Sequence, residues 1–300
     1  MTFFSLVSLY ATYLRRCFSS SGLTPQSVAI DNNTTIHFWG PKTATATKKP
    51  ALIMIHGFGP TAIWQWRRQV QFFSMNFHVY VPDLVFFGDS TTKSEERSEI
   101  FQAACLGKLM EILGVKKFHV MGTSYGGFVA YHMARMLPDN VEKVVIASSG
   151  VSIKKGDNET LLKRAESEKV EDFMLPETAD QLRTLARLAV FRSFSMIPDF
   201  FLNDFVQTLY TQNRKEKLEL LKGLTLGRTE NANLVPLEQD VLIVWGEQDQ
   251  IFPLKLAFEL KELLGEKARV EVLKKTSHVP QVEDSGRFNE IVNEFLRGSS

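Results

Sequence analysis

From Ser27 to the end of the chain, short apolar runs alternate with longer stretches of helical period, and the alternation breaks only once. Two neighbouring parallel strands need a long crossover between them, usually a helix. Repeated strand–helix alternation therefore predicts a mostly parallel sheet with helices on both faces. Strands are predicted at Ala51–His56, Phe77–Val81, Lys117–Met121, Val141–Ala147, Val241–Trp245 and Arg269–Leu273. The first of these is almost wholly apolar, as expected of a strand covered on both sides. Helices are predicted at Ile63–Phe73, Glu95–Leu113, Tyr125–Leu137, Leu254–Leu264 and Ser285–Leu296, with Gly114, Pro138 and Gly265 as stops. Ahead of them, Ser27–Asp31 and Thr35–Trp39 flank the turn-forming Asp31-Asn-Asn33 and read as an antiparallel pair.

The break spans residues 151–235, which are charged and helical in pattern. Phe173, Met174, Phe191, Phe194, Met196, Phe200, Phe201 and Phe205 stand there among acids and bases. The segment is expected to form a helical cap over the carboxyl edge of the sheet, where open α/β sheets bind ligands. Its phenylalanines serve either a small satellite core or the wall of an apolar pocket. The division that follows is an N-terminal amphipathic segment over 1–24, an α/β core over 25–150 and 236–300, and the cap over 151–235.

The N-terminal segment has three readings. Phe3, Leu6, Val7, Tyr10, Tyr13, Leu14 and Cys17 share one helical face, with Ser5, Ser8, Thr12, Arg15, Arg16 and Ser19 opposite. Such a helix suits a membrane surface, giving peripheral membrane contact through residues 1–19. It equally suits packing on its own domain. Because no acid precedes Asp31, an organelle transit peptide is the third reading. The apolar run is too interrupted to span a bilayer. Two cysteines, Cys17 and Cys105, make no disulfide framework and fit a reducing compartment, so the expected location is cytoplasmic with membrane association, or else an organelle.

Gly122-Thr-Ser124-Tyr-Gly126 sits between a predicted strand and a predicted helix. A strand–turn–helix of that composition is the setting for an exposed nucleophilic serine, with near-bare residues two positions either side. Chance alone supplies G-x-S-x-G in roughly one chain in ten of this length, so the rest of the constellation must carry the assignment. Ser124 needs a base. Of six histidines, His37, His56, His78, His119, His132 and His278, only His278 follows a strand on a loop at the carboxyl edge. His37 and His78 are expected far from that edge, and His119 and His132 are expected to be structural. Asp249, just past Val241–Trp245, is the acceptor that would fix the tautomer of His278. Glu247 lies closer to the strand end, and Glu283 and Asp284 read as capping charges of the last helix. Backbone N–H donors for an oxyanion are expected from Tyr125 and from Phe58 in His56-Gly-Phe-Gly59, with His56 anchoring that loop.

The chain order Ser, Asp, His is that of α/β-hydrolases. His56-Gly-Phe-Gly59, Val81-Pro-Asp-Leu84 with Phe87-Gly-Asp-Ser90, Gly122-Thr-Ser-Tyr-Gly-Gly127, Gly246-Glu-Gln-Asp249 with Pro253, and Ser277-His278 with Glu283 and Phe288-Asn289 together resemble the successive signatures of the α/β-hydrolase superfamily. The resemblance covers about residues 25–300 and extends to the plant branch of lipase- and esterase-like serine hydrolases related to monoacylglycerol lipases, including a lid at Phe173-Met-Leu-Pro-Glu-Thr178. It implies an α/β-hydrolase fold, with an eight-stranded sheet and a cap inserted after strand 6. It also implies structural roles for Asp83 and Gly88. Two departures stand out: Ser277 replaces the glycine usual before the histidine, and Val85-Phe86 replaces a Pro-Gly-like pair. A serine at position 124 sets the chain apart from the epoxide hydrolases and haloalkane dehalogenases, which carry aspartate there.

The expected activity is cleavage of a carboxylic ester, of the monoacylglycerol or lysophospholipid kind, through Ser124, His278 and Asp249 and an acyl-enzyme. The alternatives are an acyltransferase, a thioesterase, or a ligand receptor on a hydrolase scaffold. The partner is a small-molecule acyl ester. A formal charge of +1 with no basic stripe gives no reason for a nucleic-acid partner. No cofactor or metal motif is present in the sequence.

Overall fold

The structure, a computed structural model, describes residues 5–42, 49–192, 197–229 and 234–298. Its strands are β1 (Leu23–Ala29), β2 (Thr34–Pro41), β3 (Ala51–Ile55), β4 (His78–Pro82), β5 (Thr91–Thr92), β6 (Phe118–Thr123), β7 (Val141–Ala147), β8 (Asp240–Gly246) and β9 (Ala268–Leu273). They join one sheet in the order β1-β2-β4-β3-β6-β7-β8-β9, with β5 paired to β2. β1 and β2 are antiparallel, as is β2 to β4, and every pair from β4 to β9 is parallel. The expected sheet of eight strands thus gains a ninth, two residues long and too short to leave a periodic signal. Thr34 and Thr92 join their hydroxyls across it at 2.8 Å.

The sheet is built by alternation of buried residues to its two faces. Ile53, Ile55, Val120, Val144, Ile146 and Ile243 pack toward the helices Glu99–Ile112, Tyr125–Met136 and Lys255–Leu264. Leu52, Met54, Met121, Val145, Leu242 and Val244 face the opposite way, against Trp66, Val70, Phe73, Phe288 and Val292 of Ala62–Phe73 and Ser285–Arg297. Strand order reverses at β3: the chain goes to β4 on one side and later returns to place β6 on the other. A crevice forms where the order reverses, outside the carboxyl ends of the strands. The loops leaving β3 and β6 both open onto it.

Between β7 and β8 the chain runs through the helices Lys155–Ala165, Glu171–Met174, Ala179–Ala189, Asp199–Leu209 and Arg214–Gly223. Leu175, Ala179, Leu182, Leu202, Val206 and Tyr210 form a satellite core there. Phe194 and Met196 lie outside the described residues. The buried Glu99 carboxylate accepts from Thr225 N at 3.0 Å and Leu226 N at 3.3 Å, and Arg97 pairs with Glu219 at 2.7 Å, so the outgoing end of the cap is fastened to the Glu99–Ile112 helix. That helix starts later than expected because Ser98 is its N-cap, accepting from Phe101 N at 3.1 Å.

The N-terminal helix Leu6–Ser20 is packed on its own domain through Val7, Ala11, Leu14, Cys17 and Phe18. The apolar face expected there is split: Leu6, Tyr10 and Tyr13, with Leu9, remain exposed. Phe3 lies outside the described residues. Asp204 of the cap accepts from Val7 N at 3.1 Å, satisfying one of the free donors at the helix start. Among the described residues, no helix is long and apolar enough to cross a membrane.

Candidate active site

Ser124 follows β6 with φ 52 and ψ −121, a backbone setting that non-glycine residues rarely adopt. The surroundings enforce it. A Cβ on Gly122 would stand 2.0 Å from Gly126 O, one on Gly126 2.2 Å from Ile55 O, and one on Gly127 2.4 Å from the Ser149 Cβ. The three glycines are therefore required by close approach of strand, turn and helix. The turn is held by Ser124 N donating to Ala147 O at 2.9 Å and by the Ser149 hydroxyl donating to Ser124 O at 2.6 Å. Ser149 was not singled out from the sequence.

His278 Nε2 lies 2.8 Å from Ser124 Oγ, and His278 Nδ1 lies 2.9 Å from Asp249 Oδ2. Serine, histidine and aspartate are 8%, 5% and 5% exposed, so the chain of hydrogen bonds is shielded from bulk water. The other oxygen of Asp249 accepts from Ile251 N and Phe252 N, each at 2.9 Å, which leaves Oδ2 for the imidazole. Trp245 Nε1 donates to Phe252 O at 2.8 Å, pinning the same loop to the end of β8. Glu247 is exposed and does not enter the site.

The loop after β3 lies against the elbow, for a Cβ on Gly57 would meet Ser124 Cβ at 3.0 Å. The Phe58 ring meets Tyr125 and Phe87 edge-on at 5.8 and 5.4 Å. The Gly57 amide is taken by Gln65 Oε1 at 2.8 Å, while Gln65 Nε2 donates to Gly57 O at 3.1 Å and Pro60 O at 2.7 Å. Gly57 N is thus occupied, whereas neither Phe58 N nor Tyr125 N has a backbone or side-chain acceptor among the described residues. Gln65, which shapes this loop, lacks any motif that would mark it in the sequence.

Four of the other five histidines stand in surroundings of their own. His56 donates through Nδ1 to Gly57 O at 2.8 Å and accepts at Nε2 from Leu84 N at 3.0 Å. Burial holds its pKa below the ordinary value, so it stays a neutral anchor. His119 is buried on β6, and burial with the Lys143 charge pushes its pKa down to about 4. His132 stands 3.5 Å from Glu99. His37 corrects an expectation: it lies beside the carboxyl edge, 2.8 Å from Asp83 just past β4, because β2 runs antiparallel to its neighbour. Asp83 also accepts from Ala62 N at 3.1 Å, which fixes the start of the helix behind the oxyanion loop.

Glu283 is a second correction. It ends the short helix Pro280–Glu283, and Asp284 alone caps the last helix by accepting from Arg287 N at 3.3 Å. The Glu283 carboxylate instead turns back to the histidine loop and across to the cap, accepting from Ser277 N at 2.6 Å and Phe191 N at 2.8 Å.

Two chambers meet at Ser124, both bordered by Phe58, Met174 and Ile251. The first, about 320 Å³, is walled by Trp64, Leu182, Leu185, Ala189, Phe201 and Phe205, and among the described residues no Lys, Arg, Asp or Glu lines it. The second, about 300 Å³, mixes Phe128, Leu161 and Phe252 with Asn158, Glu171, Lys222 and Arg228. A serine hydroxyl beside a shielded imidazole can attack a carbonyl carbon, and the resulting oxyanion calls for N–H donors such as those that Phe58 and Tyr125 leave unpaired. A larger concavity of about 470 Å³, lined by Ala103, Gly107 and Leu137, shares no lining residue with these chambers. Among the described residues, no group of acids, histidines and cysteines could hold a metal ion.

Similarity to known proteins follows the same lines. A family model described as the alpha/beta hydrolase fold matches residues 50–285. A 2-hydroxy-6-oxononadienedioate/2-hydroxy-6-oxononatrienedioate hydrolase of a Pseudomonas species is 30% identical over 257 residues, 82% of this chain and 87% of that protein. Monoacylglycerol lipase ABHD6 of Homo sapiens is 25% identical over 258 residues, 83% of this chain and 75% of that one. Among solved structures, a membrane phospholipase A superposes with a TM-score of 0.76 at 22% identity, covering 97% of this chain and 90% of the other. A 2-hydroxy-6-oxo-6-phenylhexa-2,4-dienoate hydrolase from Rhodococcus gives a TM-score of 0.75 at 22% identity, covering 92% and 99%.

Proposed function

The chain belongs to the α/β-hydrolase fold family, and from that premise we propose that this serine hydrolase cleaves carboxylic esters of medium- or long-chain acyl groups, of the monoacylglycerol or lysophospholipid kind. Ser124 Oγ attacks the ester carbonyl while His278 Nε2 takes its proton. The amides of Phe58 and Tyr125 receive the oxyanion. His278 returns the proton to the departing alcohol, leaving Ser124 acylated. Water, deprotonated by His278, then releases the acid and restores the serine. Asp249 keeps the proton on Nδ1, so that Nε2 faces the serine as an acceptor, and stabilises the imidazolium that forms.

The observation that carries the acyl preference is the first chamber. It opens on Ser124 and His278, and its walls are almost wholly apolar. Transfer of an acyl chain from water to such walls is favourable by about 0.8 kcal/mol per buried CH₂. The cap over residues 151–235 supplies about half of the lining residues and acts as a lid. A second reading, cleavage of a carbon–carbon bond in an oxo-dienoate, draws on the Pseudomonas relative and on Lys222 and Arg228 lining the second chamber.

A panel of p-nitrophenyl esters from acetate to palmitate, with monoacylglycerols and a 2-hydroxy-6-oxo-dienoate, decides between them. The expected result is a kcat/KM that rises with acyl length to an optimum beyond butyrate. A sharp optimum at acetate, or turnover of the dienoate alone, sinks the acyl-ester reading. Ser124→Ala or His278→Ala should lower kcat by about 10⁶, by comparison with subtilisin, and loss of Asp249 by somewhat less.

The membrane-surface reading applies to the outer face of the N-terminal helix. Leu9, Tyr10 and Tyr13 are exposed there, Phe200 on the cap is 70% exposed, and Arg15 and Arg16 of the same helix are exposed as well. Tyr10 packs on Trp64 at 5.5 Å, and Trp64 lines the apolar chamber. A lipid surface held on this face would lie close to the chamber that takes the acyl chain.

A further inference from the structure

The cap is hydrogen-bonded to the loop that carries His278. A helix leaves its last carbonyls without partners inside the helix. At the end of Ala179–Ala189, Leu188 O accepts from the Ser277 hydroxyl at 3.1 Å, and Ala189 O accepts from the backbone N–H of His278 itself at 3.1 Å. Two residues on, Phe191 N donates to Glu283 Oε1 at 2.8 Å, while Glu283 Oε2 accepts from Ser277 N at 2.6 Å. One carboxylate thus bridges two chain segments that meet only in the folded protein. Ser277 Oγ also lies 3.1 Å from Gln248 O, one residue before Asp249. The hydroxyl that distinguishes Ser277 from the family's glycine therefore stands between the cap and the loop of Asp249.

The same two segments wall the apolar chamber. Ala186, Ala189 and Val190 line it from the cap, and His278, Val279 and Val282 from the histidine loop. An acyl chain in the chamber presses on both sides of the latch at once.

We propose that Glu283 and Ser277 are positioning residues that join the seating of this cap helix to the orientation of His278, so that a long acyl chain raises kcat and does not merely lower KM. The inference rests on the ester-hydrolase reading above. Its physical basis is the steep cost of misplacement, about 100-fold for 1 Å at a reacting group. A short acyl group leaves the chamber unfilled, and the helix end is then held by the hydrogen bonds alone.

The test compares wild type, Glu283→Gln and Ser277→Gly on p-nitrophenyl acetate, octanoate and dodecanoate. Amide hydrogen exchange is measured over residues 186–192 and 275–279. In Glu283→Gln an NH₂ group faces one of the two backbone donors, so one of the two bonds is lost. The expected result is a kcat on octanoate lower by about 10- to 100-fold, with KM within about 3-fold. The kcat advantage of octanoate over acetate should shrink, and exchange should quicken in both segments together. Ser277→Gly should do the same more weakly. Unchanged chain-length dependence of kcat in both variants overturns the proposal, as does quickened exchange in one segment without the other. Should Glu283→Gln fail to fold, Ser277→Gly decides by the same two readouts. If wild type neither turns over any ester nor reacts with a fluorophosphonate, the ester-hydrolase reading fails and coupled acyl-length control of kcat fails with it, whereas normal wild-type turnover with uncoupled variants removes the latch alone.

Discussion

At the scale of single residues, the site is a problem of space before it is one of chemistry. Ser124 holds its positive φ because strand, turn and helix are pressed together with no room for side chains at Gly122 and Gly126. Gly122→Ala places a methyl group 2.0 Å from a backbone oxygen that cannot move without unwinding the helix. Expected is a loss of more than about 3 kcal/mol, above the usual range for overpacking because backbone must shift, or failure to obtain folded protein. Gly107→Ala is the informative contrast. The added methyl meets the end of the Leu137 side chain at 2.8 Å, which can rotate away. The helix also gains about 1 kcal/mol from alanine in place of glycine. The two effects nearly cancel, so Gly107→Ala should melt within about 3 °C of wild type. Comparable melting temperatures for the two variants would mean that the elbow is looser than its geometry implies.

At the scale of elements, the cap carries an unusual buried charge. Lys217, on Arg214–Gly223, is 3% exposed and lies 4.9 Å over the Phe87 ring, and Phe87 in turn packs on Phe58 of the oxyanion loop. Burial pulls its pKa down to about 8, with Asp83 opposing. The unfolded chain therefore binds the proton more tightly than the folded one between pH of about 8 and about 10.4. Stability relative to a variant without this group rises through that window, since stability rises with pH wherever the unfolded state holds more protons. Lys217→Met should accordingly stabilise the protein at pH 7 by about 2 kcal/mol, less than the full shift because the Phe87 ring offsets part of it. The gain should shrink at pH 10. An equal gain at both pH values in paired urea titrations would show that Lys217 keeps its proton through folding. This scale also shows what could be read from sequence. β3 was legible because a strand buried on both faces leaves an unbroken apolar run, and β6 and β7 because apolar residues dominate theirs despite His119, Glu142 and Lys143. The elbow and Asp249 positions were legible because each hangs from the end of a largely apolar strand, and the His278 position because its loop follows the predicted strand Arg269–Leu273. Thr91–Thr92 and Pro280–Glu283 were not, being too short for any period to register. The direction of β2 was hidden as well, since alternation of side chains is the same read either way, and this misplaced His37. Glu283 escaped because its partners are the backbone amides of Ser277 and Phe191, and a backbone amide leaves no mark in the residue code.

At the scale of the whole molecule, the N-terminal helix presents two different faces, whose roles can be tested separately. Its inner face completes the core: Phe18 is fully buried and meets Trp39 edge-on at 5.4 Å, and Leu14 is 1% exposed. Its outer face shows Leu9 at 54% and Tyr13 at 48% exposure, with Arg67 stacked 5.9 Å over the Tyr13 ring. Truncating a buried phenylalanine costs about 3–5 kcal/mol through lost transfer energy and the cavity left behind. Phe18→Ala should therefore lower the melting temperature by about 6–15 °C. Leu9→Asp and Tyr13→Asp change half-exposed positions of the outer face, where Tyr13 meets Tyr10 and Arg67, so melting should shift by less than about 4 °C. Under the proposed membrane contact, their effect belongs to lipid binding. An amphipathic helix binds a bilayer surface through its apolar area and through attraction of its cations to anionic headgroups. On phosphatidylcholine vesicles with about a fifth phosphatidylserine, wild type should float with the vesicles and lose much of that binding as salt rises, because exposed charges are screened. The double variant Leu9→Asp/Tyr13→Asp should stay in the aqueous fraction while hydrolysing a soluble ester at the wild-type rate. Flotation of the double variant at wild-type level would assign the exposed strip no lipid role. The helix would then serve only to close the core and, through Asp204 and Val7, to steady the cap.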